Sequence, residues 1–336
     1  MFGYEGQSVH AMMQAGWTNQ YIVPGGVAVS PFLGLRADAA TYDGASTLAG
    51  APGAQSLFSA TPIAALDIRY PLLARTGGAT HVIEPIAQLV YRDGPAVPGI
   101  TNNDSQSFVF DDTNLFSFNR FTGADRQETG LRANVGSQFQ TSFDNGGWLG
   151  ALMGQSFHLA GRNGFNVRDG SPAGVGSGMN ADASYLVAGI QAGYGGLTAE
   201  GKTQFDPATG TIARAQLSAD AVADGYKVGV DYVFIDDNPA LGTARERHEV
   251  GIDARVPLAD YWTADAGIAW DLATSQWLET SAGITYDDSY LAFGIDTRWT
   301  GPTHRTADDF RIGVNFSLSG PQSREIVGVD YQFTEF

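Results

Sequence analysis

The dominant pattern along the chain is alternation with a period of two. Between Gly225 and Ile235 one face reads Tyr226, Val228, Val230, Tyr232 and Phe234; the other reads Gly225, Lys227, Gly229, Asp231 and Val233. In 309–318, Phe310, Ile312, Val314, Phe316 and Leu318 alternate with Asp309, Arg311, Gly313, Asn315 and Ser317. In 261–271, Trp262, Ala264, Ala266, Ile268 and Trp270 alternate with Thr263, Asp265, Gly267, Ala269 and Asp271. Successive side chains of a strand point to opposite faces, so each segment has an apolar and a polar side. About fourteen or fifteen such strands are predicted, roughly ten residues long. They fall near 7–18, 26–38, 55–70, 79–92, 128–142, 147–160, 184–194, 196–206, 211–222, 225–235, 246–256, 261–271, 276–287, 290–300 and 308–319, with a further short one at 325–333. No convincing amphipathic helix interrupts them, so the class is all-β.

The connections sharpen this. Short, turn-like joins at 75–79, 144–148, 194–196, 223–225, 257–261 and 286–289 alternate with mostly longer ones at 39–54, 93–127, 161–183, 206–211, 236–245, 271–276 and 301–307. Short turns on one side and long loops on the other are the layout of an antiparallel transmembrane β-barrel, periplasm on the short side. Trp148, Tyr261, Trp262 and Tyr290 stand beside short turns and Trp299 at the far end of its strand, as interfacial girdles require. A soluble antiparallel sheet shares the periodicity but has no reason for the asymmetry.

Composition removes other classes. No run of eighteen apolar residues exists, which excludes a helical span and leaves a barrel open. The net charge of −17, from 36 acidic against 19 basic residues, argues against nucleic acid. There is no cysteine, hence no disulfide or thiolate metal site. The first residues lack the basic and apolar regions of a signal peptide.

The stretch 111–130, "DDTNLFSFNRFTGADRQETG", has no helical or strand period, and loops of such length in compact domains usually have a use. Arg120 and Arg126 could pair with Asp111, Asp112 or Asp125 while Phe116, Phe118 and Phe121 pack beneath, closing the mouth of a wide barrel. The plainer reading is a solvated surface loop.

"HVIEPIAQLVYRDG" (81–94) followed by "DDTNLFSFNRFTGADRQETGLRANVG" (111–136) resembles the LptD family of lipopolysaccharide (LPS) assembly barrels. Glu84 and Pro85, Asp111, Asp112, Leu115, Phe116, Arg120, Gly123, Asp125, Arg126 and Gly130 carry the resemblance; 257–271 and 283–295 look like the family's late hairpins. It implies an outer-membrane β-barrel, here a partial one of about 14–16 strands (1–320), with 321–336 as a periplasmic tail or short extra strand. It further implies LPS transport and insertion into the outer leaflet without covalent chemistry or cofactor. The implied partners are LPS, an LptE-like plug lipoprotein, the periplasmic LPS bridge and the barrel-assembly machinery. Lys227, Asp231, Asp253, Arg255, Asp265, Asp296 and Arg298 would line the lumen, and Arg311, Gly313, Phe316 and Leu318 would form the carboxy-terminal assembly signal. Family members carry an amino-terminal jellyroll and earlier strands, so this chain reads as the carboxy-terminal portion. Many also place cysteines where Asp287, Asp288, Ser289 and Tyr290 stand here, which leaves their disulfide latch unsupported.

Three other features are weaker. Ser156 and His158 share a strand face, as in barrel-wall lipases, but no third group or oxyanion hole is evident. The pairs Asp111–Asp112, Asp236–Asp237 and Asp308–Asp309 match no cation-binding loop. Pro85, inside a strand, should weaken or bulge its pairing. A passive porin is the alternative function.

Overall fold

The computed structural model describes residues 4–46, 55–94, 104–105, 108–166, 176–237, 245–302, 307–319 and 325–334. Its strands are β1 (Tyr4–Thr18), β2 (Tyr21–Ile22), β3 (Ala28–Ser46), β4 (Gln55–Arg69), β5 (Leu72–Thr76), β6 (Ala79–Arg92), β7 (Gly130–Phe143), β8 (Trp148–Ala160), β9 (Leu186–Tyr194), β10 (Leu197–Asp206), β11 (Thr211–Ala223), β12 (Tyr226–Ile235), β13 (Arg247–Ala259), β14 (Trp262–Asp271), β15 (Gln276–Asp287), β16 (Leu291–Thr300), β17 (Asp309–Ser319) and β18 (Glu325–Thr334). One short 3-10 turn, Gly164–Asn166, is the sole helical element among the described residues.

β2 continues β1, and β5 continues β4. The register passes unbroken from Thr18↔Phe32 to Tyr21↔Val29 along β3, and from Arg69↔Ile86 to Leu72↔Ile83 along β6. The eighteen segments therefore form sixteen continuous strands among the described residues. At the second break, Tyr70 and Pro71 face Glu84 and Pro85. A proline has no amide hydrogen to give, and the Tyr70 N–H donates to the Pro85 carbonyl at 3.1 Å. The weakening expected at Pro85 thus appears as an interruption of its neighbour. β6 itself pairs with β7 straight through Pro85↔Ser137.

Two strands are longer than the hydrophobic pattern implies. β3 runs to Ser46 rather than ending near 38, and β1 begins at Tyr4. Beyond Asp38 the alternation is carried by alanine, threonine and aspartate, too small or too polar to register as an apolar stripe. The segment 325–333, expected as part of a tail or a short extra strand, forms β18, paired along β17 from Arg311↔Thr334 to Ser319↔Glu325. β17 therefore has a ladder on both sides.

Contacts divide the chain into two units. The first comprises Met1–Ile190, Lys202–Ala213 and Asn238–Thr243; the second comprises Gln191–Gly201, Arg214–Asp237 and Ala244–Phe336. In the second, Lys227, Arg255, Asp265, Gly283, Asp296 and Gly313 stand opposite one another from β12 to β17. Two residues over, on the same face, run Gly229, Asp253, Gly267, Ser281, Arg298 and Arg311. The opposite face carries Val228, Val230, Ile252, Ile268, Ile312 and Phe316, all between 38 % and 48 % exposed. The first unit shows the inversion more sharply. Along β6, Gln88 and Arg92 are buried while Leu89 and Tyr91 are exposed. Bare apolar faces and buried polar ones are stable only where hydrocarbon replaces water outside.

Short turns follow their chemistry. Asp224 and Gly225 both take positive φ (50° and 84°), as the two central residues of a tight hairpin turn require.

An arginine at Val230 should cost about 2–4 kcal/mol, as for charges placed on a lipid face near the midplane. Urea titration of the chain folded into lipid vesicles measures it. The same change at Ser281, on the polar face, is expected to cost less than half as much.

Candidate functional site

Between Arg92, which ends β6, and Gly130, which opens β7, residues 104–105 and 108–129 fold onto the polar face of the first unit. Asn114 sets its turn: its side-chain amide donates to the Val109 carbonyl at 2.7 Å, and its oxygen accepts the Asp111 N–H at 3.1 Å. Phe110 and Leu115 are fully buried, in a cluster with Phe121, Phe165, Met179 and Val187. The Phe121 and Phe165 rings stack at 4.2 Å and Phe108 tilts against Phe165 at 4.8 Å. Gly136 and Gly154 face each other across β7 and β8 and leave the gap that Leu115 and Phe116 fill. A Cβ on either glycine would press on those side chains. Phe118 packs on Phe32 of β3 at 4.9 Å.

Around this nucleus runs a continuous polar network. Glu128 is buried between Arg120 and Arg132; Arg120 Nε donates to Oε2 at 2.9 Å, and Arg132 Nη1 lies 3.1 Å from the same oxygen. Arg120 Nη2 also reaches Ser156 Oγ at 3.1 Å. Ser156 donates to Asn134 (2.6 Å), Asn134 to Gln88 (2.7 Å), and Gln88 to Asp67 (3.2 Å), which Arg69 holds at 2.7 Å. On the other side Arg92 donates to Gln127 (2.6 Å) and Gln127 to Asp38 (3.3 Å). Asp38 is gripped by Arg36 and lies 3.1 Å from His10, whose second nitrogen lies 3.3 Å from Asp125. Strand side chains also hold the loop's backbone: Arg132 donates to the carbonyls of Ser117 (2.7 Å) and Phe118 (2.9 Å), and Gln88 to that of Phe116 (2.9 Å). The loop is thereby fastened to β1, β3, β6, β7 and β8, and Arg69 of β4 lies over the Phe116 ring at 5.9 Å.

Two carboxylates of this loop are held below their ordinary pKa. Burial alone would raise that of Glu128, but the charges of Arg120 and Arg132 outweigh it. Burial likewise opposes ionisation of Asp104, yet its carboxylate accepts the N–H groups of Ala124 (2.7 Å) and Asp125 (3.0 Å), and these prevail. Gly123, with φ 73°, lets the chain wrap that carboxylate. A Cβ there would land on it.

The pairing differs from the sequence expectation. Arg120 meets Glu128 and not Asp111, Asp112 or Asp125. Glu128 lies next to the strand entry, where it shares Arg132. Asp111 instead holds Thr113 at 2.9 Å and stands 4.0 Å from Lys202. Asp112 lies over Gly189, and Arg126 is buried within the loop. Nor is the stretch a solvated surface loop. His10, Arg36, Asp38, Gln88, Arg92, Gln127, Glu128, Arg132 and Asn134 were not among the candidates. Their signal is a polar residue at consecutive same-face strand positions, as in Arg36 and Asp38 or Arg132 and Asn134.

Elsewhere, Lys227 lies 3.0 Å from Asp220 and 3.6 Å from Asp253, Arg298 lies 3.3 Å from Glu279, and Arg311 lies 2.7 Å from Asp309. Asp231, Arg255, Asp265 and Asp296 share that polar face. Gly313, Phe316 and Leu318 lie in β17, Phe316 and Leu318 on the apolar face. Ser156 Oγ is engaged by Asn134 and Arg120, and the His158 ring faces the Gly161 carbonyl at 3.1 Å. In the turn at 287–290, Asp288 accepts the N–H groups of Leu291 (2.8 Å) and Tyr290 (3.0 Å), bonds that depress its pKa. Among the described residues, no group of three or more His, Asp or Glu side chains is arranged to hold a metal.

Strands with bare apolar faces and a network-filled polar side define an outer-membrane β-barrel protein. The family described as LptD, "LPS transport system D", matches residues 5–262, more than three quarters of the chain. The chain belongs to the LptD family, and so to the outer-membrane proteins of LPS assembly. No curated protein matches it. Among solved structures, it is similar to a Rhodopseudomonas blastica porin triple mutant, at 12 % identity and TM-score 0.37, covering 83 % of this chain and 92 % of that one. It is also similar to the protein of a structure titled "Asymmetric conductivity of engineered proteins", at 11 % identity and TM-score 0.35, covering 97 % and 100 %.

Glu128→Gln should cost about 3–5 kcal/mol, because it removes the charge that compensates two buried guanidinium groups. The pH dependence has a definite sign. Since the folded-state pKa of Glu128 is depressed, its stabilisation is complete above the ordinary carboxylate range and is lost as pH falls through the lower, folded value. Denaturant titration of wild type and variant checks both: the difference should be constant at neutral pH and shrink in acid.

Proposed function

We propose that this chain is the barrel portion of an LPS exporter in which the 104–130 loop is an inner plug. The observation that carries the reading is the fastening of that loop, by buried charges and hydrogen bonds, to the polar face of five strands. A loop held this way blocks free aqueous passage along that wall. The open polar face of the second unit, with Lys227, Asp231, Asp253, Arg255, Asp265, Asp296 and Arg298, is the lumen wall along which the LPS glycan moves. Acyl tails leave sideways through a weakly paired seam, since unpaired strand edges are costly in lipid and a gate needs few hydrogen bonds to break. The transfer into the outer leaflet involves no covalent chemistry. An LptE-like plug lipoprotein, the periplasmic LPS bridge and the barrel-assembly machinery are the partners this role requires. Arg311, Gly313, Phe316 and Leu318 of β17 serve as the assembly signal.

Depleting the protein in its host and following newly made LPS tests the reading. LPS should stop reaching the cell surface and accumulate behind it. Continued surface delivery, with loss of small-solute uptake instead, would identify a porin.

The plug reading gives a further expectation. Replacing Leu115 and Phe116 together by aspartate should dislodge the loop and admit large hydrophilic antibiotics, with susceptibility rising several-fold. Unchanged susceptibility would argue against a plug.

A further inference from the structure

His10 bridges two carboxyl groups of the polar network, one on the strand wall and one on the loop. It extends from β1, opposite Ala40 of β3. Its Nε2 lies 3.1 Å from Asp38 Oδ1 and its Nδ1 lies 3.3 Å from Asp125 Oδ1. Neutral imidazole has one N–H and one bare lone pair, whereas a carboxylate only accepts. Both contacts can be hydrogen bonds only when both nitrogens carry hydrogen, that is, in the imidazolium form. The surrounding groups fix both carboxyl groups in place. Arg36 donates to Asp38 through Nε and Nη2, and Gln127 adds a third donor at 3.3 Å. Asp125 accepts the Asp104 N–H at 3.2 Å, with the Asp104 carboxylate beside it.

We infer that His10 is a positioning residue for the plug loop, a proton-dependent clasp between the β1–β3 wall and the loop at Asp125. When the imidazole loses a proton, one lone pair must face a carboxylate. Asp38 keeps its partner because Arg36 and Gln127 hold it in place, so the contact with Asp125 is the one that opens. Imidazole is the side chain that exchanges a proton in the physiological range, so the loop is held firmly in mildly acidic surroundings and loosened in alkaline ones. The inference rests on reading 104–130 as a plug. Its readout, protection of the loop, is independent of transport.

The test is amide hydrogen exchange of residues 118–129 in the detergent-solubilised chain at about pH 6 and about pH 8.5, corrected for the chemical exchange rate at each pH. Wild-type protection should fall about tenfold to a hundredfold at the higher pH, the worth of one charge-assisted hydrogen bond. His10→Gln should be weakly protected at both values. Asp125→Asn should be well protected at both, because its amide N–H can donate to the bare imidazole nitrogen. Equal wild-type protection at both pH values, or full pH dependence retained in His10→Gln, would overturn the clasp. If His10→Gln fails to fold, Asp125→Asn decides the matter alone: persistence of the wild-type pH dependence overturns the inference. Surface delivery of LPS after deletion of the loop is scored separately and bears only on the transport reading.

Discussion

A carboxylate removed from water between two guanidinium groups governs this structure. Moving an ion into a protein interior costs several kcal/mol even after relaxation, and its partners recover that only with good geometry. Glu128 has such geometry, with Arg120 on one side and Arg132 on the other. Its worth is less in net stability than in uniqueness. A loop displaced by a few ångströms would leave at least one of these charges buried and unpaired. The strands are committed by the same logic. Asn134, Ser156 and Gln88 are polar on a buried face because each carries the hydrogen bonding one strand further.

The apolar face imposes the complementary constraint. Hydrocarbon chains satisfy it without a protein partner, so it needs no shape and no ion pairs, only the absence of charge. Val230, Ile252, Ile268, Thr280, Trp299 and Phe310 meet that requirement in one line across six strands. The opposite face of the same strands carries acids, bases and glycines. Several acids lie over a neighbouring strand's glycine, Asp253 over Gly229 and Asp296 over Gly313. One residue of register slip would exchange the two faces, so the lipid itself fixes the pairing.

That division is why the strands were legible. Period two survives wherever one face is apolar, and 225–235, 261–271 and 308–319 were placed within a residue or two of β12, β14 and β17. Where small residues replace apolar ones the pattern fades, and the upper part of β3 carries no apolar stripe. The aromatic loop was identifiable from its length and composition, but its partners were not. Arg120 stands eight residues from Glu128 and thirty-six from Ser156, and only the fold brings them together. His10 gave no signal either. A lone histidine in a strand is ordinary until Asp38 and Asp125 are seen on either side of it.

The loop's two kinds of attachment explain how one segment can be both fixed and releasable. Toward β1, β3, β6 and β7 it is held by ions and hydrogen bonds, whose strength depends on protonation state. Toward β8 it has both a hydrogen bond, Arg120 to Ser156, and packing, and toward β9 packing, with Leu152 and Val187 against the cluster of Phe110, Leu115, Phe121 and Phe165. Packing of that kind is indifferent to pH and weakens on cooling. Loss of the charged side alone would therefore leave the aromatic nucleus seated on β8 and β9, so the loop would swing from that anchor rather than unfold. The charged contacts are the adjustable ones, and the aromatic nucleus on β8 and β9 is the permanent one.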